Sequence, residues 1–184
     1  MDPVAAAFAA TGRAGFLPPG AGDPTLDAPI PIGHGQTNSQ PSTVAAMLRL
    51  LDVRAGQRVL DVGSGSGWST ALLAHLVGPT GVVTGVEIEP DLVERGARNL
   101  AATGQPWATI TAALPGVLGL PDAGPYDRIL VSAMPRRLPQ QLVDQLATPG
   151  RLVIPVAGEM VLVERHRGGT RTSRHGYYRF VPLR

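Results

Sequence analysis

The sequence predicts an α/β fold, in which a mostly parallel central sheet carries helices on both faces and ends in a C-terminal antiparallel hairpin. Two observations lead there. Between Arg58 and Leu146, short apolar runs alternate with helical stretches, the mark of strand–helix–strand units. Past "ATPGRLVIPV" that alternation stops, and extended runs flank the pair Gly168 and Gly169, as in a hairpin. At 184 residues the chain suits one domain with a sizeable core. Residues 1–40 are expected to form an arm and a covering segment, and residues 41–184 the sheet and its helices.

The elements follow in order. "VAAAFAA" is a short alanine-rich helix, and "GFLPPGAGDPTLDAP" a covering arm or loop. Pro41 opens a helix in which Val44, Met47, Leu48 and Leu51 form one apolar stripe, with Ser39 expected as its N-cap. "RVLDVG" from Arg58 is a buried strand ending at glycine, followed by a helix from about Ser66 to Val77. "GVVTGVEIE" is a second strand, and Pro90 opens the next helix, with Leu92, Val93, Ala97 and Leu100 on its apolar face. "ATITA" and "YDRILVS" (Tyr126 to Ser132) are two more strands, and Leu138 to Leu146 a further helix. "EMVLVERHR" and "YYRFVPL" are expected to pair as the closing hairpin.

Composition narrows the chemistry. There is no cysteine, which excludes disulfides, a thiolate nucleophile and cysteine-ligated zinc or iron–sulfur clusters; no metal site is expected. No run of about 18 apolar residues occurs. The N-terminus carries an acid where an export signal carries basic residues. The expectation is a cytoplasmic monomer that touches no membrane. A net charge of +2 is too small to argue for nucleic acid, and none is expected as a partner. Six arginines between Arg165 and Arg184, with no acid among them, leave two readings, a tail that faces an anion and, the better of the two, a charged edge strand that resists pairing with other chains.

"VLDVGSGSGW" sets Gly63, Gly65 and Gly67 between a strand and a helix, where a ligand can approach the backbone and the helix N-terminal N–H groups. A dinucleotide fingerprint does not fit. Counting G-x-G-x-x-G from Gly63 or Gly65 brings the last position to Trp68 or Thr70, and the Gly-Lys-Ser/Thr of a Walker loop is absent. The D-x-G-x-G-x-G spacing resembles the S-adenosylmethionine site of Rossmann-like methyltransferases. That resemblance implies cofactor contacts from Asp61, Gly63, Ser64, Gly65, Gly67, Glu87 and Ile88. Glu87, at the end of the second strand, offers two acceptor oxygens on one planar group, which suits a ribose diol.

"PIPIGHGQTNSQPSTVAAMLRLL" ahead of this turn is similar to the "IGxGQTxSQP" segment of the protein-L-isoaspartate O-methyltransferase family. "PYDRILVSA", "LATPGRLVIPV", "VLVER" and "YRFVPL" extend the likeness over nearly the whole chain. The resemblance implies S-adenosylmethionine-dependent methylation of isoaspartyl carboxylates in damaged proteins or peptides. It also implies catalytic roles for Ser39 and Thr37, cofactor contacts from Gln36, Thr37, Asn38, Ser39 and Val44, and substrate contacts from Ile32, His34, Ser39, Arg179 and Val181. His75, inside a helix pattern, is expected to be structural.

The residue types suit that chemistry on their own terms. A carboxylate with a pKa of about 4 is ionised at neutral pH, so methylating it needs no general base. The reaction annihilates charge between a sulfonium and a carboxylate, so a strong cation on the carboxylate would favour the ground state over the transition state. Hydroxyls and backbone N–H groups are better partners, and "QTNSQP" supplies them.

Three departures from the family pattern stand out. Pro115 falls where the family usually has an acid that contacts the adenine. Asn38 replaces a commonly apolar residue. The chain stops just past "VPL", which implies a shorter cover over the peptide. They leave two alternatives, an enzyme that methylates an aspartate of one particular precursor peptide, and a module that binds S-adenosylmethionine or peptide without turnover.

Overall fold

The computed structural model describes residues 2–184. Helix α1 (Pro3–Ala10) begins the arm, and its first turn is capped by Asp2, whose side chain accepts the Val4 N–H. Strands β1 (Ile30–Gly33) and β2 (Gln36–Asn38) form a small antiparallel hairpin. Then follow α2 (Pro41–Leu51), β3 (Arg58–Val62), α3 (Trp68–Val77), β4 (Val82–Glu87), α4 (Pro90–Ala101), β5 (Ala108–Ala112), β6 (Tyr126–Val131) and α5 (Gln140–Asp144). Strands β7 (Leu146–Val156), β8 (Glu159–His166) and β9 (Gly169–Tyr177) complete the chain's regular structure.

The main sheet has the order β5-β4-β3-β6-β7-β8-β9, with the first five strands parallel and β8 and β9 antiparallel additions. Strands buried on both faces must be apolar at successive positions, and Val59 with Leu60, and Ile129 with Leu130, are. Val59, Val83, Leu130 and Val153 face the core shared with α1, α2 and α3. Leu60, Val62, Ile129 and Leu152 face the opposite core, closed by Leu142 and Val143 of α5 and by Tyr126. The α2 stripe of Val44, Met47, Leu48 and Leu51 is buried as its spacing predicts. Each such side chain stabilises the fold by roughly 1.5–3 kcal/mol relative to exposure.

Four local expectations shift. Helix α3 starts at Trp68 because Gly67 occupies the N-cap in a left-handed conformation (φ 92°). Helix α5 is shorter than expected: Leu146 is drawn into register with Tyr126, whose N–H bonds the Gln145 carbonyl at 2.8 Å. Ser39 does not cap α2. Gln40 is the N-cap residue, and the side chain that bonds the first turn is Asp27, accepting the Ser42 N–H at 2.8 Å.

Finally, "YYRFVPL" is not the second strand of the closing hairpin. Tyr177 already pairs with Glu159, the first residue of β8, so the chain beyond it has no strand to follow. It crosses instead to the end of β6, where the Val181 carbonyl accepts the Met134 N–H at 2.7 Å and the Leu183 N–H bonds the Met134 carbonyl at 3.1 Å. Among the described residues no helix is long and apolar enough to cross a membrane.

Candidate active site

The chain runs outward from β3 to β4 and β5 on one side, then returns to lay β6 on the other. This reversal leaves a crevice at the carboxyl ends of β3 and β6, the usual ligand position in such sheets. A cavity of about 640 Å³ opens there. Its walls are the glycine turn after β3, the β1–β2 hairpin with Ser39, the end of β4, the loop after β5, the Ser132–Ala133 turn and the chain's last residues.

Gly63, Gly65 and Gly67 all have positive φ, as a turn this tight requires. Gly63 and Gly65 line the cavity. Gly67 does not; a Cβ there would meet the Gly96 carbonyl oxygen at 2.9 Å, so this glycine admits α4 rather than a ligand. Beneath the turn lies Asp61, fully buried and absent from the cavity wall. Its Oδ2 accepts the hydroxyls of Ser69 and Thr70, each at 2.7 Å, which pins the first turn of α3 to β3. Burial pushes the Asp61 carboxyl up to about 6 against the pull of those hydroxyls, and the neighbouring Glu87 charge adds to the rise. The Asp61 Oδ1 and the Ser64 hydroxyl are buried without a hydrogen-bond partner among the described residues.

Glu87 closes β4. Its Oε2 accepts the Gly65 N–H at 2.9 Å, and its Oε1 accepts the N–H groups of Ile88 and Glu89 at 2.8 and 3.0 Å. Three backbone donors thus hold one carboxylate at the cavity wall. Beside it, Ile88, Leu114 and Val117 expose apolar side chains to the same space. Pro115 also lines it, and proline offers a carbonyl oxygen but no donor and no acid.

The β1–β2 hairpin turns at Gly33, His34 and Gly35, all with positive φ. It brings Ile32, Gln36, Thr37, Asn38 and Ser39 to the cavity, with Val44 one helical turn further on. Neither the Thr37 nor the Ser39 hydroxyl has a hydrogen-bond partner among the described residues; capping of α2 by Asp27 leaves Ser39 free for other work. Asn38 differs, since its buried side chain already bonds Arg13 and Ser66.

Two expected substrate residues stand elsewhere. The His34 ring faces away, to Asp91 at 3.1 Å and Glu89 at 3.6 Å. Arg179 is exposed and outside the cavity wall, because the tail reaches the site only at Val181. His75 is exposed as well, on the solvent side of α3. Arg184, which pairs with Glu89, lines the cavity and carried no sequence signal beyond its charge. Nor did Leu114 and Val117, whose apolar loop has no periodicity. Among the described residues no cluster of ligating side chains could hold a metal ion.

The donor set fits an S-adenosylmethionine-sized ligand. A rigid acid suits a diol, the apolar side chains of Ile88, Leu114 and Val117 offer contact to a ring, and two glycines present backbone to the cavity. An orphaned carboxylate oxygen beneath the turn supplies negative potential for a cationic group.

A family model described as Protein-L-isoaspartate(D-aspartate) O-methyltransferase (PCMT) matches residues 1–184. A protein-L-isoaspartate O-methyltransferase of Methanocella arvoryzae is 46% identical over 165 residues, covering 88% of this chain and 87% of that one. One of Aeropyrum pernix is 44% identical over 186 residues, covering 98% and 72%. Among solved structures, one from Plasmodium falciparum, assigned to the same enzyme and in complex with S-adenosyl-L-homocysteine, superposes with a TM-score of 0.86. It is 30% identical, with 100% and 91% of the two chains covered. A second protein-L-isoaspartate O-methyltransferase structure gives 0.88 at 25% identity, with this chain spanning 61% of its length.

Proposed function

The chain belongs to the protein-L-isoaspartate O-methyltransferase family, and from that premise we propose how its own residues carry out S-adenosylmethionine-dependent methylation of the free carboxylate of L-isoaspartyl residues in damaged proteins. In this reading the whole chain acts as one methyltransferase domain, with residues 1–40 as its arm and cover.

S-adenosylmethionine, when bound, supplies an electrophilic sulfonium methyl. Glu87 holds the ribose hydroxyls, and the three N–H groups behind it keep its oxygens in place. Ile88, Leu114 and Val117 enclose the adenine by apolar contact, with a backbone carbonyl of the Pro115 loop taking over the polar contact that an acid makes in other members. Gly63, Ser64 and Gly65 present backbone to the amino-acid portion, and Asp61 acts from below through its charge rather than by touch.

Ser39 and Thr37 receive the substrate carboxylate. Each donates a neutral hydrogen bond, which orients one oxygen toward the methyl without removing the negative charge that makes it a nucleophile. Positioning of this kind can account for a large part of a barrier reduction, roughly 7–11 kcal/mol in well-oriented systems. Ile32 and Val181 flank the same space and contact the peptide. The methyl ester then loses methanol as the following backbone nitrogen attacks, giving a succinimide that reopens partly to aspartate.

The observation that carries this reading is the meeting of two unpartnered hydroxyls, Thr37 and Ser39, with the glycine turn and Glu87 around one cavity. Labelled S-adenosylmethionine with paired isoaspartyl and aspartyl peptides is expected to give a base-labile methyl ester on the isoaspartyl peptide. An ester confined to one aspartyl peptide would mean a tailoring enzyme instead, and none at all a silent binding module. Ser39→Ala should lower kcat by about ten- to a hundredfold, the range expected when a positioning contact to the reacting group is lost. S-adenosylhomocysteine affinity should stay within about threefold. Wild-type kcat in this variant would remove Ser39 from the reaction.

A further inference from the structure

Arg13 lies in a short 3₁₀ turn, Arg13–Phe16, between α1 and the covering loop, and is only 6% exposed. No carboxylate among the described residues bonds it. Its Nε donates to the Asn38 Oδ1 at 2.7 Å, and its terminal nitrogens donate to the carbonyls of Leu26, Ala28, Asn38 and Ser39 at 2.8–3.0 Å. The guanidinium rests 5.5 Å from the ring centre of Trp68, the first residue of α3. A buried cation is costly unless its donors are used, and here oxygens of two separate segments use them.

The geometry of Asn38 follows. Guanidinium has no acceptor, so Asn38 must turn its oxygen to Arg13 and its amide NH₂ the other way, where it donates to the Ser66 hydroxyl at 3.1 Å. Ser66 belongs to the glycine turn and lines the cavity, as do Asn38 and Ser39. A trans peptide points its C=O and N–H in opposite directions. With the Asn38 and Ser39 carbonyls drawn toward Arg13, the N–H groups of Ser39 and Gln40 therefore face away from it.

We propose that Arg13 is a positioning residue for methyl transfer, acting through the Ser39 backbone and through Asn38, which makes the hydroxyl segment and the cofactor turn one rigid unit. This rests on the methyltransferase reading above. The arrangement keeps a cation behind the site, where it orients neutral donors, and off the carboxylate, where it would slow the reaction. It also explains the departure at Asn38, since an apolar side chain could bond neither Arg13 nor Ser66.

The test uses the full chain. Asn38→Leu, which cuts both contacts, and Arg13→Lys, which keeps charge but loses the fork, should each lower kcat by about tenfold or more. KM for the isoaspartyl peptide should change less than threefold. Asn38→Asp, which still accepts from Arg13, should lose less than Asn38→Leu. Wild-type kcat in both Asn38→Leu and Arg13→Lys overturns the inference. A second measurement needs neither a variant nor turnover: S-adenosylhomocysteine should slow amide hydrogen exchange at Arg13–Phe16 and Leu26–Ala28 of the wild type. These residues do not line the cavity. Unchanged exchange there, with ligand bound, also overturns it. Absence of methyl ester in the wild type would instead count against the methyltransferase reading and leave the exchange result to decide this one.

Discussion

Glu87→Ala should weaken S-adenosylhomocysteine binding by about a hundredfold, the largest loss expected of any single side chain at the cavity. Hydrogen bonds to a charged group contribute about 1.5–3 kcal/mol each. Two such bonds to a vicinal diol, less what water recovers, come to roughly 3 kcal/mol, and each 1.4 kcal/mol is tenfold. The variant also strips the acceptor from the N–H groups of Gly65, Ile88 and Glu89. Gly65 and Ile88 line an open cavity, so water can take their N–H groups and the fold survives. Glu87→Gln separates the two effects: its single carbonyl oxygen can still serve Ile88 and Glu89, but the amide nitrogen can accept neither the Gly65 N–H nor a ribose hydroxyl. Titration calorimetry with S-adenosylhomocysteine reads both. Affinities within about threefold of wild type in the two variants would show that the diol is held elsewhere.

Asp61→Asn should stabilise the ligand-free protein at pH 7.5 and abolish a pH dependence that the wild type shows between pH 4 and 6. The Asp61 carboxyl is raised to about 6 in the folded protein, from an ordinary value of 3.8, by burial first and by Glu87 second. Between those values the folded protein holds a proton that the unfolded chain has released. Stability from this group is therefore full below about pH 4 and is lost as pH rises through 6. The loss is on the order of 3 kcal/mol, at 1.36 kcal/mol per pH unit. The exposed carboxyls of Asp2, Asp23 and Asp27 are held below their ordinary value by hydrogen bonds, so their effect falls at lower pH and has the opposite sign.

Asparagine keeps one oxygen for the hydroxyls of Ser69 and Thr70 and removes the buried charge. Denaturant unfolding at pH 4, 5 and 7.5 reads the result: wild type should weaken across the series while the variant stays level. Cofactor affinity should fall at the same time, because the negative potential under the glycine turn is gone. A variant that is less stable than wild type at pH 7.5 would mean that Asp61 is ionised at little cost and that its unpartnered oxygen is served by water.

Much of this was legible in the sequence because it depends on short-range rules. Strand, turn and helix around "VLDVGSGSGW" are set by apolar runs and by glycines that alone accept positive φ. Glu87 sits where the next strand must end, and "GQTNSQP" carries its small hydroxyls directly ahead of a proline-started helix. The parallel sheet followed from alternation, and the α2 stripe from its spacing.

Other features depended on where distant segments come to rest. "YYRFVPL" reads as a strand, yet has no partner once β8 runs out at Glu159, and becomes the tail that carries Val181 to the cavity. Asp61 looks like a ligand-facing acid, but the path of α3 buries it. Ser39 looks like a helix cap, and Asp27 takes that task from 15 residues away.

Sequence by itself determined the sheet, the glycine turn and the kind of donors at the site, because backbone stereochemistry and side-chain periodicity act within a few residues. Tertiary structure alone decided which of those donors remain free, which acid is buried and that Arg13 lies behind Ser39. Burial and hydrogen-bond satisfaction depend on every segment that packs nearby, and the bond from Arg13 to Asn38 spans 25 residues that no local pattern connects.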